Sequence, residues 1–393
     1  MFPALQMSGF MVGSLLGGIL SDRYGRRKAM LFSMTSLAAS ILWVGLAQSV
    51  LALQIGIFVF GISIIMRAVT SFVLLNEVVC GDRRRTFGIL FSVFCAVAGC
   101  ILPVIAYFVT NWRWMTVILG IVLVATLPLF YWFLRESLGW LIQNKREEAE
   151  NLFKEIAKLN KIKLNSDDTL LPDEKLDGEA DDIEADVMDD RKFSYYDLIT
   201  VSFLLKRILI LSFMWFSMNM CFYGLSLNSP NLGGNRYVNA FVASAVEIPG
   251  QFLCYVLVKK IGCRKSYSLM GVACGIFTLI TPFMQTVSQL AGVVCAMIAK
   301  FFSGGPFTVL YLITGDLFPT MLRTQSYGAC SFMGRIASII VPYVLYLGKT
   351  VHFALPYIVM GTIGVISAMA GLLLPETTGQ PLPKTLEEAR LQD

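Results

Sequence analysis

The sequence predicts an all-α polytopic membrane protein, and three observations carry that reading. Of its 393 residues 56% are hydrophobic and only 15% charged, and mean hydropathy is +0.66, whereas soluble domains average about 45–50% apolar and about a quarter charged. The apolar residues gather into runs long enough to cross a bilayer, and lysine and arginine concentrate in alternate loops between those runs. A single histidine, His352, leaves little room for a His-based metal site, triad or proton relay. Neither a phosphate-binding G-x-x-x-x-G-K-[ST] loop nor an H-E-x-x-H zinc motif occurs. Catalysis is therefore not expected, and neither a metal, a cofactor nor a nucleic-acid partner is implied.

A helix needs about 20 apolar residues to cross the hydrocarbon core. Eleven runs qualify: 1–20, 29–47, 51–79, 86–109, 114–134, 208–227, 237–258, 267–284, 290–313, 327–347 and 353–374. Orientation follows from the basic residues of short loops. One face carries Arg23, Arg26, Arg27 and Lys28, then Arg83, Arg84 and Arg85, then the 135–206 segment, then Lys259, Lys260, Arg264 and Lys265, then Arg323; the other offers Arg113, Arg236 and Lys349. The first face is expected in the cytosol, with the N-terminus outside and the C-terminus inside. All nine cysteines fall in apolar runs or on that basic face, so free thiols are expected.

The runs divide the chain into five spans over 1–134, a cytosolic segment over 135–206, six spans over 207–374 and a cytosolic tail over 375–393. Within the central segment, 144–160 reads as an amphipathic surface helix with Ala149, Leu152, Phe153, Ile156 and Leu159 on one stripe and Glu150 and Lys154 as an i,i+4 pair. Residues 167–190 carry twelve acids against one base, Lys175, which predicts a solvated linker. Two echoes stand six spans apart. Ser21–Arg27 returns weakly in Lys259–Lys265, and Glu77 with Arg85 returns in Asp316 with Arg323. That spacing fits two six-helix halves, with the first helix of the first half missing from the sequence.

Several strings are recognisable. Gly18-Ile19-Leu20-Ser21-Asp22-Arg23-Tyr24-Gly25-Arg26-Arg27 resembles the loop signature of the major facilitator superfamily. Asn111-Trp112-Arg113, Arg135-Glu136-Ser137-Leu138-Gly139-Trp140-Leu141-Ile142, Asp316-Leu317-Phe318-Pro319-Thr320 and Leu374-Pro375-Glu376-Thr377-Thr378-Gly379 resemble its organic cation/anion/carnitine transporter family. Tyr223–Gly233 and Leu355–Gly361 look most like the organic cation/carnitine branch. The resemblance implies a major facilitator fold, eleven spans of it present here. It implies a small organic ion, cationic or zwitterionic like carnitine, as substrate, moved by alternating access, with Na⁺ or H⁺ as a coupling ion and plasma-membrane lipid as surroundings. An organic anion exchanger, or a non-transporting truncated or regulatory isoform, is the alternative. The family's Pro-Glu-Ser-Pro-Arg-Trp-Leu string is altered here, with Arg135, Leu138 and Gly139 at three of its positions.

Charged side chains inside a bilayer cost at least about 2.5–3.5 kcal/mol and so seek a partner or a water-filled cavity. Glu247, Lys300 and Arg335 fall near the middle of their runs, and Arg67 in the cytosolic half of the third. Three bases against one acid favour an anion or the carboxylate of a zwitterion, although Glu247 and Lys300 could simply neutralise each other. The family places at Arg335 a residue linked to the sign of substrate charge. Trp215, Phe222, Tyr223, Phe307 and Tyr311 are candidate aromatic walls for an organic ion. Asp22, Arg26 and Arg27 resemble the family's ion-pair latch, with Glu77, Arg85, Glu136, Asp316 and Arg323 as partners. Gly9, Gly13 and Gly17 form a small-residue stripe for close helix contact, and Gly304-Gly305-Pro306 is expected to break or kink the ninth span.

Overall fold

A computed structural model describes residues 2–79, 83–159, 201–318 and 320–377. Five long helices come first: α1 (Phe2–Tyr24), α2 (Arg26–Leu46), α3 (Val50–Val78), α4 (Arg83–Phe108) and α5 (Trp112–Phe133). Turn chemistry sets their ends. Gly25, at φ 97°, separates α1 from α2 in a conformation that strains any residue with a Cβ. Ser49 and Asn111 cap α3 and α5 by accepting the backbone N–H groups of Ala52 and Arg113. Two short helices follow on the face that bears the basic loops, α6 (Leu138–Asn144) and α7 (Arg146–Leu159). Ala149 and Leu152 of α7 pack on Leu138, Trp140 and Leu141 of α6, as the amphipathic stripe predicts. The ion pairs formed here are Arg135 with Glu155 and Lys145 with Glu148 rather than Glu150 with Lys154; an exposed i,i+4 pair is worth too little to fix two long side chains.

The second bundle comprises α8 (Ser202–Asn228), α9 (Arg236–Ala245), α10 (Glu247–Ile261), α11 (Cys263–Val287), α12 (Gln289–Leu317), α13 (Thr320–Thr350) and α14 (Leu355–Ala370). Among the described residues, eleven helical segments are long and apolar enough to cross a membrane, α9 and α10 counting as one. The acidic stretch 167–190 and the tail beyond 377 lie outside the described residues.

Two proline positions behave oppositely. The expected break at Gly304-Gly305-Pro306 does not occur, and α12 runs unbroken through it. Those glycines serve close packing instead: a Cβ on Gly305 would stand 2.9 Å from the Cβ of Cys254 in α10 and 2.5 Å from Met270 Cε in α11. The break falls two spans earlier, at Val246. Pro249 has no N–H to return to the carbonyl of Ala245, so the turn opens and α10 restarts with Glu247 as its first residue.

The glycine stripe of α1 lies directly on α3. A Cβ on Gly9 or Gly13 would fall 2.4 or 2.3 Å from the carbonyl oxygens of Phe58 and Ile62, so the stripe is a fixed backbone contact. The bundles meet through α1 on α13 and through α4 on α9 and α10. Near the face opposite the basic loops, the rings of Tyr107 and Tyr237 stand 5.8 Å apart. Deeper, Phe10 meets Tyr223 at 6.4 Å. Toward the basic face, Phe72 meets Tyr311 at 5.7 Å. The bundles therefore touch on both sides of their middle.

Replacing Gly13 by valine should wedge α1 from α3. A loss of about 1–3 kcal/mol from overpacking is expected, read as a lower thermal midpoint and loss of monodispersity in detergent, while valine at Gly18, where a Cβ meets nothing within 4 Å, should leave both unchanged.

Candidate functional site

The break at Val246 positions the first of the buried charges. Glu247 opens α10 in mid-span, and its Oε1 lies 2.6 Å from Lys300 Nζ, the two side chains being 15% and 3% exposed. Lys300, from α12, also donates to Ser226 Oγ at 2.6 Å and to the Phe222 carbonyl at 3.4 Å. Its ammonium stands 3.7 Å from the centroid of the Phe222 ring. Carboxylate, hydroxyl, carbonyl and aromatic face thus surround one cation, supplied by α8 and α10 around a lysine from α12. Removing one partner of such a pair would cost about 3–5 kcal/mol, because the other charge would be left buried alone.

Arg335, on α13, is different. It is 5% exposed, donates to Tyr223 Oη at 3.4 Å and lies 5.8 Å from the Phe10 ring of the other bundle. Among the described residues no carboxylate lies within 4 Å of it. Arg67 of α3 is half-buried and lies within electrostatic reach of Cys95 of α4.

Aromatic rings connect these charges. Phe222 stacks on Phe307 at 5.1 Å and meets Tyr223 edge-on at 5.4 Å. Phe307 contacts Tyr311 at 5.5 Å. Trp215 is 1% exposed, donates to Thr314 Oγ1 at 3.0 Å and backs Tyr311 at 4.5 Å; it supports the wall from within the second bundle. Five of the residues around this centre were not legible as such in the sequence: Phe10, Phe72, Ser226, Gln251 and Thr308. Thr308 donates to Gln251 Oε1 at 3.1 Å and stands 3.4 Å from Ser92 across the bundle boundary. Single apolar or small polar residues in an apolar run carry no signal of their own, and only the helix pairing reveals them.

On the basic face, Arg26 forms the expected latch. It meets Asp22 at 3.0 Å and grips Glu77 with Nε and Nη2 at 3.0 and 2.9 Å, a two-pronged contact stronger than a single ion pair. Arg26 begins α2 and Glu77 stands in the last turn of α3, so each occupies the unfavourable end of its helix dipole and pairing relieves both. Glu136 accepts the backbone N–H of Arg27 at 3.0 Å, where an anion is favoured, and Arg27 reaches the Tyr131 carbonyl at 2.8 Å. Asp316 stands one residue before the end of α12; the side chains of Arg85 and Arg323 lie outside the described residues.

The second bundle repeats the Glu136 device with a residue that sequence reading did not select. Glu376 accepts the N–H groups of Cys263 and Arg264 at 2.9 and 3.4 Å, and Arg264 reaches the Leu374 carbonyl at 3.0 Å. Gly25 and Gly262 both have positive φ, and a Cβ on either would strike the carboxylate of Glu136 or Glu376. The signal was available: Leu134-Arg135-Glu136-Ser137 and Leu374-Pro375-Glu376-Thr377 each follow the last span of a bundle. The position of Arg26 is taken by Cys263, which is buried.

Comparison with known proteins gives one consistent picture. The sequence profile of the "Sugar (and other) transporter" family matches residues 1–388. The human protein named organic cation/carnitine transporter 2 is 32% identical over 392 residues, covering 97% of this chain and 67% of that one. The Drosophila melanogaster organic cation transporter protein is 30% identical, covering 98% and 70%. Among solved structures, the major facilitator proton:xylose symporter XylE, bound to 6-bromo-6-deoxy-D-glucose, superposes with a TM-score of 0.70 at 19% identity over 99% of this chain and 88% of that one. An inward open conformation of the Escherichia coli protein gives 0.69.

The latch geometry makes a quantitative statement. In a double-mutant cycle of Arg26→Ala and Glu77→Ala, the coupling energy read from chemical or thermal unfolding should be about 1–3 kcal/mol, and Glu376→Gln should destabilise the start of α11 without changing that coupling.

Proposed function

The chain belongs to the sugar (and other) transporter family of the major facilitator superfamily, and on that premise we propose that it moves a small organic ion across a membrane by alternating access, with a carboxylate-bearing zwitterion such as carnitine as the preferred cargo. The observation that carries the choice of cargo is Arg335: a guanidinium 5% exposed at the boundary between the bundles, with two aromatic neighbours and, among the described residues, no carboxylate within 4 Å. A buried cation without an anion favours a substrate that brings one. The name of the human relative includes carnitine, and that of the Drosophila relative names organic cations.

In this reading the substrate carboxylate docks on Arg335, with Arg67 adding positive potential, while Phe222, Tyr223, Phe307 and Tyr311 shape the apolar wall for the rest of the molecule. Phe10 with Tyr223, and Phe72 with Tyr311, are the aromatic contacts that part alternately to admit and release it. On the basic face, taken as cytosolic, the Arg26–Glu77 pair holds α2 against α3 in one state and yields in the other. Na⁺ or H⁺ coupling and a plasma-membrane location complete the proposal on family grounds.

Uptake of radiolabelled carnitine into proteoliposomes tests it. The protein should accumulate carnitine above protein-free vesicles, and Arg335→Asp, which reverses the charge presented to the carboxylate, should cut uptake on the order of tenfold or more with normal monodispersity. Unchanged uptake by Arg335→Asp of every anionic or zwitterionic substrate tried would remove Arg335 from the site.

A further inference from the structure

The surroundings of Lys300 are those of an ammonium-binding cage, and the lysine fills it. A carboxylate at 2.6 Å, a hydroxyl at 2.6 Å and a carbonyl at 3.4 Å take the ammonium hydrogens. The Phe222 ring, 3.7 Å away, offers its face, within the range where a cation is attracted by the ring quadrupole. Phe307 stacks on that ring. Nothing else is needed to hold the ammonium end of an organic cation in a water-poor site. We propose that Lys300 is a tethered stand-in for a substrate ammonium group, and so a specificity-determining residue: by occupying Glu247 and Phe222 it excludes organic cations that lack a carboxylate. The inference rests on the transport reading only in taking this centre as the substrate path.

The physical basis is competition for one anion. Glu247 is the carboxylate that meets the Lys300 ammonium in the central layer. Lys300 is covalently held on α12, so its effective concentration at Glu247 exceeds that of any free cation. A free quaternary ammonium must displace it with no compensating contact for the lysine. A zwitterion has a second anchor at Arg335, and its carboxylate supplies the anion that a displaced Lys300 would otherwise lack. The cage thus turns a cation site into one that accepts ammonium groups only together with a carboxylate.

Lys300→Met empties the cage and leaves Glu247 buried without its cation. The purified variant should have a lowered thermal midpoint that tetramethylammonium chloride raises, whereas sodium chloride at equal concentration should not, and wild type should respond to neither. Lys300→Gln, which keeps a hydrogen bond to Glu247 and is the milder change, should bind choline on the order of tenfold more tightly than wild type. The double variant Glu247→Gln with Lys300→Met, which has no cage anion, should show no tetramethylammonium response. Indifference of both single variants to the ammonium probes, or an equal response from the double variant, would overturn the proposal. So would failure of both single variants to fold even with tetramethylammonium present, since the pair would then be structural alone. Because these are binding measurements, absence of carnitine uptake by wild type would defeat the transport reading and leave this result standing.

Discussion

The cost of charge in the hydrocarbon layer governs how this chain is put together. Ionisable side chains within the spans are a large liability. One acid and one base cancel each other where Glu247, the first residue of α10, meets Lys300. The break before it, which follows from Pro249, also puts the carboxylate at the start of a helical segment, where the dipole favours it. Arg335 has no such relief, and its environment of Tyr223 and Phe10 is tolerable for a guanidinium mainly because aromatic faces partly replace water.

The basic face follows related logic with helix ends in place of ion pairs in lipid. Carboxylates at the starts of α2 and α11 satisfy backbone N–H groups that no turn of helix can reach. In both places a glycine with positive φ clears the space. The two bundles share this device, and the first adds the Arg26–Asp22–Glu77 cluster.

Much of the fold was legible. Hydropathy and run length located all eleven spanning segments, because apolar length is a physical requirement of the bilayer and not a preference. The charges inside the spans were equally visible, since Glu247, Lys300 and Arg335 each interrupt a run that otherwise contains none, and Arg67 shares its run only with Glu77 near the basic end. Proline was read less well: a Gly-Gly-Pro string was expected to break or kink α12, yet the helix runs unbroken through it, while the isolated Pro249 opened its helix. Glycine next to a packed neighbour reports closeness as readily as flexibility, and the sequence does not say which. Glu376 was quoted within a recognisable string but not assigned a role, because its partners are backbone N–H groups more than a hundred residues away. Phe10 and Phe72 acquired meaning only from the pairing of the bundles.

The central claim is that the uncompensated guanidinium between the bundles receives the carboxylate of the cargo. The most direct measurement is a ligand-bound structure of the protein, determined by electron cryomicroscopy in the presence of saturating carnitine. The carboxylate should lie within roughly 3 Å of the Arg335 guanidinium, the distance of a charge-assisted hydrogen bond, with the trimethylammonium group toward Phe222. Carnitine bound elsewhere with Arg335 untouched, or bound with its ammonium end nearest Arg335, would contradict it.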